Sequence, residues 1–251
     1  MILSLPFLHT SQDAPKVFIR SLTADLSSVK KIVFTVSLCA FGFVTAAGQN
    51  NQTAEEKAAY IKTVTDRSAK IVNTLSIKDS ATYKQVLALL VYQYSNINRI
   101  HEETKIALAA IKQQSITAQE SALQVQKQEE KKNAQLQQLH TSFLAGLQTN
   151  LTGEQIELVK DGMTYKVLHV TYTAYVDMIP SLTEEQKKKI YDWLVEAREL
   201  AMDSESSDKK HAIFGKYKGR INNYLAAAGY DLTKEREEWQ KRIKEKNESS
   251  K

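Results

Sequence analysis

Beyond about residue 50, apolar residues recur three and four positions apart over most of the chain, the spacing of one face of an α-helix. Ile61, Thr65, Ser68, Val72 and Leu75 share one such face. Tyr83, Leu87, Leu90, Tyr94, Ile97, His101, Thr104, Leu108 and Ile111 sustain the period through a long second helix. From Ser115 to Gln138 the sequence turns rich in Gln, Lys and Glu, and its apolar residues thin out to Leu123, Val125 and Leu136. That pattern predicts the exposed tip and returning arm of a helical hairpin over about 79–148, not a linker.

Helix starts are marked as clearly as helix faces. Leu151-Thr152-Gly-Glu-Gln155 and Leu182-Thr183-Glu-Glu-Gln186 repeat one signal. In each, the Thr hydroxyl accepts from a backbone N–H three residues on, and the Gln side chain reaches back. Leu151 can staple onto Ile156, and Leu75-Ser76-Ile-Lys-Asp79 reads as a looser third copy. The spacing of the copies is irregular, which excludes a solenoid. A helix follows from Thr183 to Met202 with Ile190, Leu194, Ala197 and Ala201 inward. Ser206 and Ser207 cap the next, on which Phe214, Tyr217, Ile221 and Tyr224 repeat. Gly229 ends it, and Lys234–Lys246 forms a charged last helix touching down through Trp239 and Ile243. Val167–Thr173 is β-branched, but Met163, Val167, Val170, Ala174 and Met178 keep the helical period, so this stretch too is assigned to helix. The predicted fold is all-α: a helical bundle with a long helical hairpin and a compact C-terminal helical half. It forms one domain over 49–233, with an aromatic-rich half at about 151–231 and a charged helix and tail at 234–251.

The N-terminal pattern differs. Lys30 and Lys31 precede an uncharged run of 13 residues, Ile32 to Val44, and then the small residues Thr45-Ala46-Ala47-Gly48. A positive start, a short apolar stretch and a small-residue exit predict a signal peptide over 29–48, cleaved after Gly48 or, as the next choice, after Ala47, with an uncleaved anchor as the alternative. The run falls short of the ~20 residues of a membrane span, so no stable span is expected after cleavage. Residues 1–28 are read as a gene-start artefact, with translation beginning at Val29, or as an extended n-region. The expected destination is the periplasm or the cell exterior. Leu38 before Cys39 excludes a lipoprotein signal. Cys39 is the only cysteine, and it leaves with the leader, so neither a disulfide nor a thiolate site is expected in the mature protein.

Composition changes this picture little. Apolar residues make up 42% of the 251 and charged residues 25%, an ordinary globular balance. Residues 1–48 carry four of the 34 Lys and Arg and two of the 29 Asp and Glu, which leaves a net +3 on the rest. Nucleic acid requires a more concentrated basic face.

Chemical motifs are scarce. The sequence has no Gly-rich phosphate loop and no G-x-S-x-G elbow. His101, His140, His169 and His211 lie far apart, with no pair at the i, i+4 spacing of a helical zinc site. Neither cofactor nor metal is expected. His101 falls on a core seam, and His169 and His211 are the histidines singled out for testing. Asp161, Asp177, Glu196, Glu199 and Asp203 are the candidate acids or bases, with helix caps and surface ion pairs as the simpler explanation of each. Between 160 and 231 lie seven tyrosines, Trp193 and Phe214, interleaved with Arg, Asn and Asp. Aromatic faces beside planar amide, carboxylate and guanidinium groups suit sugar recognition. The candidate ligand site comprises Tyr172, Tyr175, Trp193 and Tyr217 as platforms, with Asp177, Arg198, Arg220 and Asn223 as hydroxyl partners. No catalytic residue is assigned.

Lys160-Asp-Gly-Met-Thr-Tyr165, Thr171-Tyr-x-Ala-Tyr-x-Asp-Met-Ile-Pro180, Trp193-Leu-x-Glu-Ala-Arg-Glu199 and Lys216-Tyr-Lys-Gly-Arg-Ile-Asn-Asn-Tyr-Leu225 resemble one family. Its members are secreted Bacteroidetes proteins catalogued as a domain of unknown function and associated with sugar binding. The resemblance covers about 60–232 and implies an oligosaccharide ligand, or protein partners in polysaccharide utilisation, with no catalytic residue to carry over. A fainter likeness links the Leu-Thr-x-x-Gln copies to small periplasmic chaperones. Three readings stay open: a non-catalytic carbohydrate-binding or accessory protein, a chaperone-like or scaffold protein working through the hairpin, and a carbohydrate-active enzyme using Asp177 or His169.

Overall fold

The computed structural model describes residues 53–249. The expected leader, its cleavage point and the segment 1–28 lie outside them. Among the described residues all regular structure is helical: α1 (Ala54–Asn73), α2 (Ser80–Lys112), α3 (Ala118–Asn150), α4 (Gly153–Met163), α5 (Val167–Met178), α6 (Glu184–Met202), α7 (Ser207–Ala227) and α8 (Leu232–Ser249). The all-α class and the helical hairpin, α2 against α3, are as the sequence predicts.

Threonine caps four of these eight helices. Thr152 and Thr183 form the predicted capping boxes with Gln155 and Gln186. Thr53 and Thr117 build the same box with Glu56 and Glu120. The glutamines also hold tertiary structure. Gln155 accepts from the Thr152 backbone N–H through Oε1 and donates from Nε2 to the Leu75 carbonyl, 2.9 Å away, at the end of α1. Gln186 Oε1 accepts from the Tyr230 hydroxyl at 2.9 Å. A carboxylate, which cannot donate, could not make the Gln155 link.

The third copy is different. Ser76 has φ 53° and belongs to the turn; Asp79 caps α2, accepting from the Thr82 N–H at 2.7 Å. Asp accepts more strongly than Ser when ionised, so the helix starts one turn later. On α1 the inward face is Val64, Ser68, Ile71 and Val72, while Ile61 is exposed. The run from Met163 to Met178 is not one helix. Thr164 closes α4, and Tyr165 and Lys166 both take left-handed φ (59° and 57°) before α5 begins. The break rotates the register, so Leu168, Tyr175 and Met178 face inward and Val170 is 64% exposed. At the C-terminus Trp239 packs on the core, but Ile243 is exposed. Gly229, at φ 95°, terminates α7 as expected.

Among the described residues two large apolar cores result, beside a small cluster of Ile97, Ile100 and Leu136 along the hairpin. One gathers α1 to α4 around Val86, Leu90, Phe143 and Leu147; the other gathers α5 to α8 around Ile190, Leu194, Phe214 and Ile221. Helix α6 serves both: Ile190, Leu194, Ala197 and Ala201 face the second core, and Met202 reaches the first. Helices α1 and α4 approach closely at Gly162, where a Cβ would meet Ile71 Cγ1 at 2.9 Å and Cγ2 at 3.0 Å. Gly162→Val should therefore lower stability by about 1–3 kcal/mol through overpacking, measured by urea unfolding. An unchanged midpoint would show that Ile71 yields freely.

Candidate functional site

The most concentrated chemistry lies where α3, α4 and the C-terminal end of α6 meet. Glu157 and Asp161 are one turn apart on α4, and Glu199 and Asp203 one turn apart at the end of α6. Arg198 is 3% exposed. Its NH1 donates to Asp161 Oδ1 at 2.9 Å and its NH2 to Glu157 Oε2, while Nε lies 3.6 Å from Glu199 Oε1. Lys160 Nζ donates to the same Glu199 oxygen at 3.0 Å. From the hairpin, His140 inserts between the α6 carboxylates: Nδ1 lies 3.0 Å from Asp203 Oδ2 and Nε2 3.3 Å from Glu199 Oε2.

A ring whose two nitrogens both face carboxylates must donate from both, so His140 is an imidazolium. The Asp203 hydrogen bond, then that of Glu199, raises its pKa to about 9 against the opposing effect of burial. Burial pushes Glu199 up, but His140, Lys160 and Arg198 outweigh it and hold the group at about 2. His101 completes the corner. Its Nε2 is 2.9 Å from the Asp203 carbonyl, which can only accept, so Nε2 carries a proton; Nδ1 faces Glu205 Oε2 at 3.4 Å.

Above this charged floor opens a cleft of about 740 Å³. Lys132, Asn133, Gln137 and Thr141 of α3 line one wall, with Leu136; Leu200 and Ile213 line the other. Lys132 is ion-paired to Glu129 one turn before it. Among the described residues no cluster of three or more His, Cys, Asp or Glu is arranged to hold a metal ion. No helix among them is long and apolar enough to cross a membrane.

The eight residues chosen from sequence sit elsewhere and in several places. Trp193 is met on its edge by Tyr224 (5.3 Å) and over its face by the Arg220 guanidinium at 4.4 Å. Tyr217 is buried beside them, and burial, then the hydrogen bond its hydroxyl donates to Glu196, pushes that hydroxyl to about 12. Tyr172 meets Tyr191 edge-on at 5.3 Å. Tyr175 is buried, donates to Asn222 Oδ1 at 2.6 Å and lines a shallow groove with Val170 and Trp239. Asp177 and Asn223 are exposed; the Asp177 carbonyl accepts from Arg242. Arg198 belongs to the buried ion network. Of the eight, only Tyr175 lines one of the cavities described here.

Sequence reasoning missed His140 and the role of His101. Their partners stand about 60 and 100 residues away, and no local pattern joins them. The one available signal was the pair of i, i+4 carboxylates, Glu157/Asp161 and Glu199/Asp203, three of which are among the acids noted from sequence. Of the two histidines picked out instead, His211 stacks on Tyr165 at 5.7 Å.

All of these groups fall within the span matched by one family model. The family model described as "Protein of unknown function (DUF3826)" matches residues 61–245. The chain belongs to that family. In DUF3826 terms the match runs from the second turn of α1 into α8, so the ion network and the cleft are parts of the family domain itself. No curated protein matches the chain.

Proposed function

We propose that this DUF3826 protein is an exported, non-catalytic carbohydrate-binding protein that holds an oligosaccharide in the cleft over His140, Glu199 and Asp203. The observation that carries the reading is the make-up of that cleft. Planar amides (Asn133, Gln137), a hydroxyl (Thr141) and an ammonium (Lys132) supply hydroxyl partners, and Leu136, Leu200 and Ile213 offer apolar surface to C–H faces. Ion pairing orients the floor in advance, so little ordering remains to oppose binding. The same ion pairing argues against turnover. A glycosidase acid needs a raised pKa near the working pH, whereas Glu199 is held at about 2 and His140 at about 9. Export rests on the leader pattern of residues 29–48, and the link to bacterial polysaccharide utilisation rests on the family resemblance.

Calorimetric titration of the purified protein against plant and host-glycan oligosaccharides tests this. We expect saturable binding without new products on thin-layer chromatography. Asn133→Ala with Gln137→Ala should weaken it by about tenfold or more, roughly 1.4 kcal/mol, with unchanged thermal stability. Trp193→Ala should leave affinity intact, because Arg220 already occupies that ring face. The reverse pattern would move the site to Trp193 and Arg220, and silence across the panel would remove the carbohydrate reading.

A further inference from the structure

A second cavity, of about 290 Å³, lies on the other side of the α6–α7 turn, walled by α1, α2 and the start of α7. Its chemistry is unlike that of the cleft. Lys210 lines it and is 3% exposed. Of an ammonium's three donors, one reaches the Met202 carbonyl at 3.3 Å. Arg67 lines it from α1, and both cations lie over the Tyr94 ring, Arg67 Cζ at 5.6 Å and Lys210 Nζ at 5.9 Å. Among the described residues, neither has a carboxylate within ion-pair distance. The one carboxylate in the lining, Glu205, is turned to His101 Nδ1 at 3.4 Å. Tyr60, its hydroxyl bonded to the Tyr94 carbonyl at 3.2 Å, stiffens the aromatic wall.

A buried ammonium that faces a cavity beside a second, exposed cation, with no carboxylate within ion-pair distance, is an unusual use of buried charge, which is normally paired. Desolvation, with Arg67 adding to it, pulls Lys210 down to about 8 against the opposing charges of Asp203 and Glu205. Ser204, Ser206 and Ser207 line the cavity too, adding hydroxyls and the amide end of α7 on the same side as Lys210. All of these groups favour negative charge and oxygen acceptors.

We infer that this cavity is a binding site for a small oxyanion-bearing ligand, whose carboxylate or phosphate lies between Lys210 and Arg67 and whose carbon frame rests on Tyr60 and Tyr94. The size admits a single sugar acid or phosphorylated small molecule and excludes a polymer. The site stands independently of the oligosaccharide cleft, since Ser204 is the one residue that lines both.

The test is titration of the purified protein with inorganic phosphate and with glucuronate at neutral pH and low salt. Wild type, Lys210→Met, Arg67→Gln and the double variant would be compared. At least one probe should bind saturably, and each single substitution should weaken it tenfold or more. Without anion, Lys210→Met should melt no lower than wild type, because it fills the same volume and removes a buried charge. Phosphate binding alone assigns a phosphate ligand, glucuronate alone a carboxylate, and both together the shared oxyanion. Should Lys210→Met fail to fold, Arg67→Gln, on an exposed position, carries the comparison. The proposal is overturned if neither probe binds wild type, or if a probe binds the double variant as tightly. Loss of oligosaccharide binding in the Asn133/Gln137 variant would not touch it.

Discussion

Arg198→Ala is expected to destabilise the fold by about 3–5 kcal/mol, the range for removing one partner from a buried ion network. Among the described residues the guanidinium is the only group that touches Glu157, Asp161 and Glu199 at once, and so ties α4 to α6 between the two large apolar cores. Its removal would leave Asp161 and Glu199, with side chains 21% and 28% exposed, short of a cation in a site that water reaches poorly. Glu157 is half exposed, so its lost pairing should matter little; the cost falls on the other two carboxylates and on the emptied volume of the aliphatic stem. Arg198→Met restores volume but not charge and should recover only part of the loss. Urea unfolding of the three proteins measures this. A cost for Arg198→Ala under about 1 kcal/mol would mean that Lys160 and solvent carry the carboxylates unaided. The same burial bears on recognition: weaker sugar binding by an Arg198 variant would report misfolding, not a lost hydroxyl partner, so binding must be judged on variants that melt normally.

What the sequence made legible was local. Thr152 and Thr183 announce their helices because the cap and its partner are three residues apart, and α6 shows its inward face through Ile190, Leu194, Ala197 and Ala201 because one helix repeats its own spacing. Errors came where a competing local choice decided the outcome. Asp79 outcompeted Ser76 as the cap, and the left-handed pair Tyr165 and Lys166 broke a period that the apolar residues alone would have continued to Val170. The sites were hidden for a different reason. His140 takes its meaning from Glu199 and Asp203, and Lys210 from Arg67 on α1, so their chemistry exists only after helices far apart in sequence have packed. Aromatic composition drew attention to 160–231 instead. There Tyr175, Tyr217 and Trp193 are engaged with Asn222, Glu196 and Arg220, partners drawn from the same region.

The second large effect is a stability that falls as the solution becomes alkaline. His140 has a pKa raised from 6.5 to about 9 in the folded protein, so between those values the native state holds a proton that the unfolded chain has released, and raising the pH favours unfolding. The contribution is fully present below pH 6.5 and disappears as pH rises through about 9; at 1.36 kcal/mol per unit it amounts to roughly 3 kcal/mol. Two other groups frame it. Glu199, lowered to about 2 from 4.5, supplies stability above pH 4.5 that is lost as pH falls through 2, and it expresses the same ion pair, so the two figures do not add. Lys210, lowered from 10.5 to about 8, works against the trend, since stability gains as pH climbs from 8 towards 10.5. For this reason the quantity to measure is the difference between wild type and His140→Gln in urea, followed from pH 6 to pH 10. The gap between them should be largest near pH 6 and should close by pH 10, while the Lys210 effect, common to both proteins, cancels. A gap that stays constant would show a neutral His140 held by packing alone. The cleft floor would then lack a fixed imidazolium, and Glu199 would be held down by Lys160 and Arg198 alone.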